Sequence, residues 1–199
     1  MNRTSFQSIK PQLREVWRLS LPAILTQITT IAMQYIDSAM VGRLGANASA
    51  AIGLVASSTW LMNGVCYAIA AGFSVQVAHR IGAGNEKGAR NVVRHGLISA
   101  LIVSGLLCLI GVAIHMHLPV WLKGDADIVF DAGRYFLTFA WMLPFTQMSS
   151  LTSSFLQCAG DMLTPSILNA VMCVLDVIFN TLLIPKHGVF GAGLGTMLA

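Results

Sequence analysis

Apolar stretches, each long enough for a membrane crossing, follow one another along the chain and are separated by short polar connections. A hydrocarbon layer about 30 Å thick needs about 20 helical residues to cross it. Five runs meet that length, over residues 19–41, 48–78, 96–118, 128–154 and 165–184, and a sixth begins at 189 and meets the end of the sequence at 199. The pattern predicts an all-α membrane protein with about six transmembrane helices behind a polar segment, residues 1–18. No small-residue cleavage site follows the charged start of the chain, so the first span is expected to remain as an anchor.

Polar residues inside the runs recur at helical spacing. In the first span Gln27, Thr30, Gln34 and Asp37 fall within an arc of about 80° at about 100° per residue. In the fifth, Asn169, Cys173, Asp176 and Asn180 span about 60° on the same geometry. Lipid solvates neither stripe, so both are expected to face the bundle interior or a wet cavity. The carboxylic acids Asp37 and Asp176 lie deep in these spans, where a charge costs at least a few kcal/mol and usually marks function. Such an acid can exchange a proton for a cation. Pro22 removes a backbone hydrogen bond inside the first span and is the expected hinge, whose bend would follow the protonation of Asp37.

Composition agrees with the pattern. Apolar residues make up 55% of the 199 and charged residues 10%, with a mean hydropathy of +0.71, whereas a soluble domain is about 25% charged. The net charge of +4 follows topology. Arg3, Lys10, Arg14 and Arg18 precede the first span, and Arg80, Lys87, Arg90 and Arg94 follow the second. Arg43, Lys123, Arg134 and Lys186 are spread over the other side beside Asp125, Asp127 and Asp131. The basic excess places the N-terminus in the cytoplasm of a multi-pass protein of the cell membrane. No soluble basic surface for nucleic acid is present in the pattern.

Other signals reduce to packing. Cys66, Cys108, Cys158 and Cys173 have no metal-ligand spacing, and His79, His95, His115, His117 and His187 form no partnered cluster. RIGAGNEKGAR and GVFGAGLG lack the strand-glycine-helix context of a nucleotide loop. The first reads as a turn leading into a basic helix start; in the second, Gly191, Gly193 and Gly195 allow close helix approach. Met33, Met40, Met62 and Met148 lie in spans that also carry polar groups, where thioethers suit an adaptable pocket.

Four segments carry a family resemblance. SLPAILTQITTIAMQYIDSAMVGRLGANASAAIGL, AGFSVQVAHRIGAGNEKGAR, FLQCAGDMLTPSILNAV and NTLLIPKHGVFGAGLGTMLA resemble, in order, segments of the multidrug and toxic compound extrusion (MATE) family of cation-coupled antiporters. The resemblance implies one lobe, the N-terminal one, of a twelve-helix transporter whose two lobes face each other across a central cavity and alternate access by rotation. It also implies no enzyme activity, no cofactor beyond H+ or Na+ as coupling ion, and export of amphipathic, often cationic small molecules.

Asp37 matches the family's acidic residue on helix one and Pro22 its bend. Many members carry an Asn and then an Asp four apart on helix five; here the order is Asp176 then Asn180, which keeps one face but moves the charge by a turn. Thr196 resembles a helix-six threonine of the same network. The expected cation or proton site is therefore Asp37, Asp176, Asn180 and Thr196, with Na+ possible at the first three. The substrate cavity is expected at Gln27, Thr30, Met33, Gln34 and Asn169.

Half a cavity is expected not to transport alone, so the chain is read as part of a longer protein with a missing C-terminal lobe. A non-transporting truncated product is the alternative, distinguished by whether the reading frame continues past Ala199. A lipid-linked precursor flippase of the same superfamily would use a more basic cavity. An intramembrane aspartyl protease would match two acids on separate spans, and Tyr35-Ile36-Asp37 approaches its first motif, but CVLDVIF around Asp176 lacks the GxGD element.

Overall fold

The computed structural model describes the backbone of residues 3–198 and the side chains of residues 16, 17, 20, 21 and 23–198. The described backbone is helical throughout except at its turns: α1 (Arg3–Gly42), α2 (Ala46–Gly82), α3 (Glu86–Ile114), α4 (His117–Trp121), α5 (Ala126–Cys158), α6 (Leu163–His187) and α7 (Val189–Leu198). With α4 a single short turn, the other six form a membrane bundle in which α5, α6 and α7 are the fourth, fifth and sixth spans. Among the described residues α2, α3 and α6 are individually long and apolar enough to cross a membrane. The polar run from Thr146 through Gln147 to Ser154 dilutes the 33-residue α5.

The helix α1 continues without a break from Arg3 through position 22 to Gly42. Residues 3–18, expected as a polar leading segment, are thus helical and continuous with the first span. The side chains of Arg3, Lys10, Arg14, Arg18 and the expected hinge Pro22 lie outside the described residues.

Tight turns join the helices. Gly84, at φ +69°, closes the α2–α3 turn, and Asn85 then caps α3 by accepting from the Gly88 backbone amide at 2.8 Å. At the head of α6, Asp161 accepts from the Thr164 hydroxyl at 2.6 Å and its backbone amide at 3.0 Å. The Thr164 hydroxyl, helped by that amide, holds the Asp161 carboxyl below the usual range.

Two helices organise the interior. Ala51, Val55, Met62 and Cys66 of α2 pack against Ala132, Phe136 and Leu143 of α5, and Ala70 and Val77 continue that seam to Ala100 of α3 with Leu151 and Phe155 of α5. Small residues let α3 come close: a Cβ on Gly111 would lie 2.7 Å from the Ala140 Cβ. Where the seam turns polar it is bonded. The buried Gln147 amide of α5 donates to the Cys66 carbonyl of α2 at 3.0 Å. A separate cluster, Val41, Ala48, Ile184, Val189 and Ala192, ties α1, α2, α6 and α7 together at one end of the bundle. Val41 and Ala192 of that cluster border the same cavity as Asp37.

Candidate cation site between α1, α6 and α7

Asp176 and Asn180 are one turn apart on α6 and have no solvent exposure, because the face at i and i+4 is turned onto α1 and α7. The Asn180 amide nitrogen donates twice. It reaches Asp37 Oδ1 on α1 at 2.8 Å and Asp176 Oδ2 on its own helix at 3.0 Å. One neutral donor therefore bridges two carboxyl groups from two helices.

Two oxygens of this group have no hydrogen-bond partner, Asp176 Oδ1 and Asn180 Oδ1, and both are buried. Neither carboxyl has a Lys or Arg partner among the described residues. Uncompensated buried charge is costly, and unpaired buried acceptors cost about 1–3 kcal/mol each. Oxygen donors of this kind are the type that could hold a proton or a small hard cation.

Glycine makes the fit possible. Gly195 of α7 lies so close to Asn180 that a Cβ there would overlap Asn180 Oδ1 and stand 3.1 Å from the Asn180 backbone nitrogen. Gly191 similarly presses against the backbone of Leu183 and Ile184, and Gly193 packs on Thr138 of α5. All three glycines thus permit close helix approach, and Gly195 closes one side of the Asn180 amide.

On its other side Asp37 borders a cavity of about 310 Å³ between α1, α2, α5 and α7, where Ser38, Ser49, Tyr135 and Thr196 offer polar groups beside Val41 and Ile52. Thr196, a sequence candidate, reaches this cavity while its hydroxyl donates to the Ala192 carbonyl at 3.2 Å. Tyr135 was not a sequence candidate. It sits between Arg134 and Phe136 in an apolar run, and no periodic cue distinguishes it.

The expected substrate residues lie elsewhere. Gln27 and Gln34 are exposed, and Thr30, Met33 and Asn169 are half-buried; none of the five lines the Asp37 cavity. Thr30 donates to the Thr26 carbonyl at 3.0 Å. A further α1–α6 link, the Thr26 hydroxyl donating to the Ser166 hydroxyl at 2.8 Å, joins the stripes about three turns away from Asp37. The spacing had shown which helix faces were polar, but not that these two hydroxyls meet.

The MatE family profile matches residues 22–182. The "Probable multidrug resistance protein NorM" of Thermotoga maritima is 26% identical over 197 residues, covering 95% of this chain and 42% of that protein. A protein of the same name from Pseudomonas aeruginosa is 31% identical over 199 residues, covering 94% of this chain and 39% of its own length. Among solved structures, a mutant of the Vibrio cholerae MATE transporter VcmN superposes with a TM-score of 0.90 at 20% identity, over 96% of this chain and 44% of that one. The chain spans about two-fifths of the length of the relatives it matches.

Proposed function

Because this chain belongs to the MATE family and corresponds to its N-terminal lobe, we propose that it forms one wall of a cation-coupled antiporter that exports amphipathic, often cationic compounds. The observation that carries this reading is the Asn180 amide bridging Asp37 and Asp176 beside two unpartnered buried oxygens. In the proposed cycle a proton or Na+ offsets one negative charge of the pair. Binding of cargo displaces the ion, and the ion gradient drives its return, so one positive charge replaces another at a site that tolerates an empty state poorly.

Asp37 is the coupling element, since it alone of the pair also faces the side cavity and can change partners between Asn180 and water. Asp176 and Asn180 are its fixed counterpart on α6. The exposed amides of Gln27 and Gln34, with Met33 nearby, are available to a facing second lobe, which completes the substrate cavity. The basic excess before α1 and after α2 supports a cytoplasmic N-terminus. Proline at position 22 is the proposed hinge.

The test uses a version containing both lobes, reconstituted in vesicles and loaded with a fluorescent lipophilic cation. Efflux should follow an imposed proton or sodium gradient and stop when an ionophore collapses it. Efflux unaffected by removing every ion gradient would refute the antiporter reading.

A further inference from the structure

A second groove lies toward the opposite end of α2 from Asp37. Gly53 of α2 borders the Asp37 cavity and Val77 borders this groove, so the two are separated by about 36 Å along the helix at 1.5 Å per residue. The groove encloses about 760 Å³ between the end of α2, the start of α3 and the end of α5.

Its chemistry is graded along α3. Arg90 and Arg94 are four apart and so share one face, and Leu97 and Ile98 continue that face a turn deeper. Val77 and Phe155 complete the apolar floor. Both arginines are exposed, and neither forms an ion pair among the described residues. Glu86 also borders the mouth, so the two guanidinium groups leave a net charge of one positive unit there. Arg80 and Lys87 add to the positive field of the same membrane face.

We propose that this groove binds an anionic phospholipid, with the phosphate held by Arg90 and Arg94 and an acyl chain laid along Val93, Leu97, Ile98 and Phe155. The occupant follows from charge and position together. Guanidinium groups match a phosphate in fork geometry, and the apolar floor adjoins the level where the helix enters lipid. A soluble anion has no use for that floor, and a cationic drug is repelled by the rim. The inference does not depend on the ion-coupling reading, because it uses none of the same residues.

The experiment is native mass spectrometry of the purified 199-residue chain released from detergent micelles, titrated with phosphatidylglycerol or phosphatidylcholine of identical acyl chains. Phosphatidylglycerol should bind about tenfold more tightly. Arg90→Gln with Arg94→Gln should abolish that preference, whereas Arg90→Lys with Arg94→Lys should retain part of it. Leu97→Trp, which fills the floor, should weaken both lipids. Circular dichroism identifies any variant that misfolds, and the lysine pair and Leu97→Trp provide separate readings. Equal binding of the two lipids by the unaltered chain would overturn the proposal. So would a preference that survives loss of both arginines, or displacement of the lipid by excess inorganic phosphate as readily as by phosphatidylglycerol itself.

Discussion

Asp37→Asn should reduce ion-driven efflux to the level of passive leak in a version of the protein that contains both lobes, while leaving the fold intact. Asparagine has the shape of aspartate, and its carbonyl oxygen can still accept the 2.8 Å hydrogen bond from Asn180. What disappears is the charge at the cavity. Asp176 keeps its carboxyl but is enclosed, so the variant has no titratable group that faces both Asn180 and the cavity, and the linkage between ion and substrate is lost. Interhelical hydrogen bonds in membranes contribute only about 0.6 kcal/mol on average, so a neutral-for-charged exchange that preserves the bond should change the melting temperature in detergent by a few degrees at most. Efflux that still tracks the ion gradient in this variant would remove Asp37 from the coupling role.

Alanine at Gly195 or Gly191 should damage the lobe, although by different routes. At Gly195 the added methyl enters the space of Asn180 Oδ1 and comes within 2.8 Å of its Cγ. The amide must turn, and turning it breaks both bonds to Asp37 and Asp176. At Gly191 the obstacle is main chain: the methyl meets the Leu183 carbonyl, with its carbon at 2.7 Å and the Ile184 nitrogen at 3.1 Å. A side chain can rotate aside but a helix backbone cannot, so α7 must separate from α6. Overpacking of this kind costs about 1–3 kcal/mol and sometimes more. Gly191→Ala should therefore lower the melting temperature most, and Gly195→Ala should lose ion binding even where it remains folded. Gly64→Ala, inside α2 with nothing within 4 Å of the new Cβ, is the control and should leave stability unchanged or raise it by up to about 1 kcal/mol. A Gly195→Ala variant that binds the coupling ion like the unaltered protein would contradict the arrangement described for Asn180.

The chain's all-helical membrane bundle was legible because hydropathy and span length act locally, residue by residue along the sequence. The polar stripes were legible for the same reason, since helical spacing places Asp37 with Gln34 and Asp176 with Asn180. Periodicity names a face without naming its neighbour. Gln27, Gln34 and Asp37 share one arc, yet Asp37 touches Asn180 while the two glutamines are exposed, because the stripe of α1 that meets α6 runs through Thr26, Thr30, Met33 and Asp37, beside the glutamines. Tyr135 and the Thr26–Ser166 bond were not apparent from spacing, as each depends on how two distant helices meet. The short α4, with Pro119 buried, and the helical start of the chain at Arg3 likewise lay outside the pattern of spans. The glycine string near the end signalled close packing, but its use against the Asn180 amide required the fold.

In the proposed cycle the Asp37–Asp176 pair surrenders a positive ion when cargo arrives. The direct measurement is the count of ions released when a lipophilic cation is added to the purified two-lobed protein, followed as protons in weakly buffered solution and as sodium with a tracer. The unaltered protein should release one kind of ion in proportion to the cargo bound, and Asp37→Asn should release almost none. Release of neither ion by the unaltered protein, or the same release by both proteins, would contradict it.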